Sequence, residues 1–283
     1  MPKEPQHRVR VRLDRLQLVS RVLQTRTPPR LDGFEVTRDS FVRCQTTTAT
    51  YARCRQFKSL TNDMKIYWQY APQKAWLASW KITIVSDDLS GLSRDEIEPV
   101  LKHCRGYRLL LVEVAIDFSP SAGVNRQFIR RQAVFGKSHR LANKRDEHLY
   151  YGSRKSDKLV RCYEKSEVGS YRVELELHSG LLRRNGICVL DDLVHLPDLV
   201  HPKHLQFVAL EWNRLSRHLA RKLGDRSDGV IAGARRRTPS ILRLQRYLRR
   251  KGVFNTHRFL TPRAVNNDVK RALNTWIRKF NRE

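Results

Sequence analysis

Three short stretches decide the fold: Leu111-Val-Glu113-Val-Ala-Ile-Asp117, Arg161-Cys-Tyr163-Glu-Lys165 and Arg172-Val-Glu174-Leu-Glu176-Leu177. Each reads as a β-strand, because apolar and polar residues alternate at period two and successive strand side chains point to opposite faces. In the first, Leu110, Val112, Val114 and Ile116 fall on one face, and Glu113, Ala115 and Asp117 on the other. In the third, Val173, Leu175 and Leu177 oppose Arg172, Glu174, Glu176 and His178. The middle stretch puts Arg161, Tyr163 and Lys165 together. If these strands are neighbours, up to four carboxylates and a tyrosine share one sheet face, which suits metal-dependent phosphoryl transfer.

Outward from these strands, residues 33–86 are mostly strand-like, with candidates at 34–36, 49–55, 65–70 and 76–85. Ser93-Arg-Asp-Glu96 is a capping box, predicting a helix over 94–104 that stops at Gly106. A second helix is expected over 125–135, then strands at 148–152, 159–165 and 171–178. That order argues an α+β fold, with a largely antiparallel sheet and helices on one face. Residues 190–223 read as helical, broken at Pro197 and Pro202.

The pattern divides the chain into a basic N-terminal arm (1–32), a catalytic domain (33–223), a linker (224–237) and a basic helical, winged-helix-like DNA-binding module (238–283). In the arm, Arg8-Val-Arg10-Val-Arg12-Leu alternates cations with apolar residues, so an edge strand is the alternative. The last module contains Thr238-Pro239 and Thr261-Pro262, each a cap followed by proline at the first helical position. Residues 224–283 hold 16 Lys/Arg against 4 Asp/Glu, a net +12.

The chain has 283 residues, 56 Lys+Arg and 28 Asp+Glu, giving +28 and a pI near 10.6. With 40% apolar residues, five Trp and ten Phe, it is no disordered polycation. A folded protein this basic points to nucleic acid ahead of an anionic membrane. The five cysteines (44, 54, 104, 162 and 188) include no Cys-x-x-Cys pair, so neither a disulfide framework nor a zinc ribbon is expected. The charged start carries no apolar signal region, and no run of about 18 apolar residues provides a spanning helix. The expected location is cytoplasmic, without a membrane partner.

Acids on a half-exposed strand ordinarily have arginine partners and no further role. Repetition of the acidic face at Glu174 and Glu176 shifts the balance toward a hard divalent cation, Mg²⁺ or Mn²⁺, held by some of Glu113, Asp117, Glu174 and Glu176. Alternation leaves open whether Glu174 or Glu176 is the closer ligand, and His178 on the same face is a further candidate. Tyr163 has Arg161 and Lys165 as same-face neighbours. Cations favour the phenolate and bind the phosphate it would attack, and tyrosine is a known covalent nucleophile.

The run Tyr150-Tyr-Gly-Ser-Arg-Lys-Ser-Asp-Lys-Leu-Val-Arg-Cys-Tyr-Glu-Lys165, followed by Arg172-Val-Glu-Leu-Glu-Leu177, resembles the rolling-circle replication initiators of small staphylococcal-type plasmids. Leu-Val-Glu113-Val-Ala-Ile-Asp117-Phe is similar to the acidic strand of that family. The resemblance extends over residues 65–177. It departs at Glu113, where the family usually has Asp, and at Glu164, where it has Asn. The resemblance implies that Tyr163 nicks origin DNA, becomes linked to its 5′ end and frees a 3′-hydroxyl primer. It implies that Arg161 and Lys165 steady the phosphate, and that Glu113, Asp117 and Glu174 or Glu176 hold the metal. A catalytic strand face needs access to the backbone, so a hairpin or single-stranded nick site is expected; the resemblance also implies a homodimer, with a host helicase and polymerase as partners. Two other classes stay open, a non-catalytic DNA-binding regulator and an RNA-binding protein of the same fold. His218-Leu-Ala-Arg221 with Tyr247 is faintly similar to tyrosine recombinases, without their Leu-Gly-His context.

Overall fold

The computed structural model describes residues 8–20, 27–41, 51–74, 77–86, 91–135, 141–145, 148–153, 156–165, 169–237 and 241–282. Trp76, Cys44 and the Thr238-Pro239 cap lie outside them. In chain order the first half gives β1 (Val9–Ser20), β2 (Phe34–Phe41), β3 (Tyr51–Ser59), β4 (Met64–Pro72), β5 (Trp80–Ser86), α1 (Arg94–Leu101), β6 (Arg108–Phe118), α2 (Arg126–Gln132) and β7 (Ala133–Val134). Next come β8 (Leu141–Arg145), β9 (His148–Gly152), β10 (Lys158–Lys165), β11 (Ser170–His178), α3 (Ser179–Arg184), α4 (Leu196–Val200) and β12 (Gln206–Leu210). The chain closes with α5 (Trp212–Leu223), α6 (Ser227–Arg235), α7 (Ile241–Arg250), β13 (Leu260–Pro262) and α8 (Val265–Arg282).

The fold is α+β. Ten strands make one sheet in the order β2-β3-β4-β5-β1-β6-β11-β10-β9-β8, and every adjacent pair is antiparallel. Alternation supplies its buried face: Leu13, Leu16, Ile66, Trp68, Ile82, Val114, Ile116, Val173 and Leu175 join one core with α8 residues Val269, Leu273, Ile277 and Phe280. The opposite face of the central strands is polar and carries the carboxylates. The α1 capping box is present, with Ser93 Oγ accepting from Glu96 N and Glu96 accepting from Ser93 N.

Four sequence expectations are corrected. Residues 9–20 are not an arm but β1, which sits between β5 and β6 near the middle of the sheet. Arg12 and Arg15 find acids on β6, at Asp117 and Glu113, a neutralisation that the segment alone does not reveal. Within 190–223, residues Gln206–Leu210 form β12, which pairs β13 and β7. The expected linker is largely helical: a 3₁₀ turn at Gly224–Arg226 leads into α6. Finally, the 238–283 module is divided. Helices α5, α6 and α7 close a small second core of Leu215, Leu219, Ala234, Leu244, Leu248, Val253 and Phe259, whereas α8 belongs to the main core. Thr261 and Pro262 lie in β13, and the helix begins later, at Val265.

Two register shifts between β1 and β6 matter for the site. Leu13 faces Val114 and Arg15 faces Glu113, so Asp14 is the extra residue of a β-bulge. It lies against Arg12 and Arg172 on the polar side. A second shift pairs Gln17 with Leu111 and Leu18 with Leu109, leaving Leu110 half-buried and putting Leu109 in the core in its place.

Candidate active site

The three decisive strands are neighbours. Residues Glu176 and Glu113 are cross-strand partners between β11 and β6, as are Arg172 and Asp117; between β10 and β11, Arg161 faces Glu174 and Tyr163 faces Arg172. The diagonal reach of strand side chains then brings Tyr163 to Glu174. The Tyr163 hydroxyl donates to Glu174 Oε1.

Asp14, Glu113 and Glu174 each offer an oxygen, and these oxygens lie within 4.8 Å of one another. All three residues are buried, at 8%, 5% and 4% exposure, deep enough for neighbouring charges to interact strongly. Of the four acids expected as ligands, Glu113 and Glu174 enter this cluster, joined by Asp14 of β1. The other two lie to either side. Asp117 takes a two-point contact from Arg172, with Nε at 2.7 Å and Nη2 at 3.0 Å, and lies 3.3 Å from Arg12. Glu176 is held by Arg15 at 2.8 Å and His178 at 2.9 Å.

Arginines thread the whole cluster. Arg161 reaches Glu113 at 2.6 Å and Glu174 at 2.9 Å. Arg172 lies 3.0 Å from Asp14, Arg12 lies 2.8 Å from Asp14, and Arg15 bonds Glu113. Arg161 is thus engaged with acids, while Lys165 is half-buried at the far end of β10.

Burial raises the Asp14 carboxyl to about 7; Arg12 pulls it back, and Glu174, Glu113 and Asp117 add to the rise. Burial also raises Glu113 and Asp117. Glu176 is lowered, chiefly by its hydrogen bond from His178. The Tyr163 phenol is pushed well up by burial and by Glu174, both through charge and through the hydrogen bond. Arg161 does favour the phenolate, as the sequence leads one to expect, but burial and then the Glu174 carboxylate outweigh it.

The donor set is one that could hold a hard divalent cation. It is all oxygen and buried, burial raises Asp14 to about 7, and each carboxylate has lone pairs beyond those its arginines use. Strand alternation misses Asp14, because the bulge takes it out of the period-two pattern and because β1 reads as a tail. The signal available in sequence is an acid breaking the Arg-apolar alternation at Leu13-Asp14-Arg15.

A second basic feature lies on the small helical unit, in a cleft of about 570 Å³ lined by Arg236, Arg237, Arg243, Arg246, Tyr247 and Arg250. The five arginines are exposed. Helices α6 and α7 meet closely at Gly233, where a Cβ would come 2.2 Å from Tyr247 Oη. This holds the Tyr247 ring under Arg237, 4.3 Å from its centroid.

A solved rolling circle replication initiator protein is similar. It comes from Geobacillus stearothermophilus, and the likeness covers 71% of this chain and 87% of that one, at 14% identity and a TM-score of 0.39. So shallow a likeness assigns no role to any residue. No family model and no curated protein matches the chain.

Proposed function

We propose that the chain is a metal-dependent DNA nicking–joining enzyme that initiates rolling-circle replication, with Tyr163 as nucleophile. The observation that carries this reading is the Tyr163 hydroxyl on Glu174, itself one of three buried carboxylates within 4.8 Å. The net charge of +28 and the sequence resemblance at residues 65–177 support DNA as the substrate.

Tyr163 Oη attacks the phosphorus of the scissile phosphodiester, and its proton passes to Glu174. The bond from phosphorus to the 3′-oxygen breaks, leaving a 5′-phosphotyrosine, and the freed oxygen takes a proton to become the 3′-hydroxyl primer. Asp14, Glu113 and Glu174 would hold Mg²⁺ or Mn²⁺, which when bound supplies positive charge that lowers the phenol pKa and stabilises the scissile phosphate. Arg161 fixes the carboxylates through its two ion pairs. Lys165, on the same strand face as Tyr163, meets the entering phosphate.

A second reading, a DNA-binding regulator without chemistry, is favoured by one observation: each acid of the cluster already faces an arginine, and Tyr163 is held protonated. The test is incubation with supercoiled DNA carrying the gene's own flanking sequence and Mn²⁺. The enzyme gives a nicked circle covalently attached to protein, lost in Tyr163→Phe and in EDTA. Tight binding with no adduct on either strand favours the regulator.

A further inference from the structure

We propose that His148 and Tyr150 of β9, together with the ring of Tyr163, form an aromatic shelf that stacks the unpaired bases of single-stranded DNA beside the scissile phosphate. The inference rests on the nicking reading of Tyr163 and adds the residues that hold the unpaired bases at that site.

The His148 ring lies 4.9 Å from that of Tyr163, tilted by 37°, and 6.2 Å from that of Tyr150, nearly parallel at 27°. Tyr150 is the cross-strand partner of Arg161, so the row runs directly off the acid cluster. Alternation along β9 separates these rings from the core. Leu149 and Tyr151 are buried at 1% and 6% exposure, whereas His148 and Tyr150 are half-buried on the polar face. Rings on that face fill no core. They present π surfaces next to Arg161 and Arg172, whose guanidinium lies 6.0 Å from the Tyr163 centroid.

Bases stack on such surfaces whatever their identity. A duplex keeps its bases stacked on each other and offers no free face. The shelf therefore selects unpaired strand and presents the phosphate next to a stacked base to Tyr163 Oη.

The probe is a mixed-sequence single strand of about 12 nucleotides carrying one 2-aminopurine, compared with the same strand in duplex. Binding is measured in Tyr163→Phe protein with EDTA, which keeps the ring and removes the chemistry. The expected result is quenching of 2-aminopurine on binding. His148→Leu and Tyr150→Leu should each weaken single-strand affinity by about tenfold and reduce the quenching, with duplex affinity unchanged. The corresponding Phe substitutions should restore both. Leu variants that bind the single strand as tightly as their parent overturn the shelf, as does an equal loss on single strand and duplex. If His148→Leu fails to fold, as read by thermal unfolding, Tyr150→Leu carries the test, since Tyr150 is the outer ring of the row. A protein that forms the Tyr163 adduct but passes the Leu test unchanged loses only the shelf. One that stacks DNA without forming an adduct keeps the shelf and loses the nicking reading.

Discussion

At the scale of single residues, Asp14 is the side chain on which the metal reading turns. Its carboxyl is buried beside Glu113 and Glu174 and raised to about 7, so near neutral pH the cluster sits between holding a proton and holding a cation. A ligand that binds only the folded state stabilises it by mass action, about 2.7 kcal/mol at a hundredfold excess over Kd. For a chain of this length, that corresponds to a rise in Tm of about 5 °C. Mn²⁺ should produce this rise in the wild type and not in Asp14→Asn. The same substitution should raise Tm in EDTA, because it removes one of three crowded acids while keeping a hydrogen-bonding side chain. Equal Mn²⁺ responses in the two proteins, followed by calorimetry, would exclude Asp14 as a ligand. Glu113 and Glu174 are legible in the sequence as polar-face acids of their own strands, since alternation specifies that much, as it does for Asp117 and Glu176. Which acids converge is not legible, because convergence depends on a bulge in a third strand.

At the scale of elements, that bulge makes a sharper test. Deleting Asp14 joins Leu13 to Arg15 and restores regular alternation: Arg12 polar, Leu13 core, Arg15 polar, Leu16 core. The pairs Leu13 with Val114 and Arg15 with Glu113 are already those of an unbulged ladder. The deletion protein should therefore fold with Tm within a few degrees of wild type and lose the Mn²⁺ response; a protein that fails to fold would show that the bulge is structural. A second element-level prediction concerns the contact between β10 and the segment after α4. Lys158 Nζ donates to the Phe135 carbonyl and lies 3.1 Å from His204 Nδ1. Burial, then the charges of Lys158 and Lys203, lower His204 to about 4. The unfolded chain takes up that proton near pH 6.5 and the folded one only near 4, so stability falls as pH falls through this window. Two pH units at about 1.4 kcal/mol each, discounted because the ring is partly exposed, make the loss about 1–2 kcal/mol by roughly pH 4.5, and His204→Gln should flatten it in urea unfolding. Strands β9, β10 and β11 are legible from alternation alone, and α1 from its capping box. Strand β1 is not, because its charges are neutralised by residues about 100 positions away in sequence, as Arg15 is by Glu113.

At the scale of the whole molecule, the charge is unevenly employed. On the sheet face the arginines are largely matched by acids, so that region contributes little net attraction for a polyanion. Surplus positive charge is concentrated instead on the helical unit, where the lining of one cleft is five arginines and a tyrosine with no acid. Leu244 and Leu248 fix α7 against α5 and α6, while Arg243, Arg246 and Arg250 point outward at spacings of three and four, along one face. On the proposed function, this geometry would offer a phosphate backbone a rigid row of cations about 10 Å long. Each phosphate neutralised contributes about −0.9 to the slope of log K against log salt on duplex DNA. Replacing Arg243, Arg246 and Arg250 together with Gln should therefore weaken duplex binding and make the slope shallower by about 0.9 for every phosphate that these arginines neutralise. Because the three side chains are exposed, Tm should change little, and the yield of Tyr163 adduct at saturating protein should hold. If the slope stays the same while affinity falls, the cleft meets something other than phosphate. If neither changes, the docking surface for duplex DNA lies elsewhere on the chain, and the matched arginines of the sheet face would have to exchange their acids for phosphates when DNA binds.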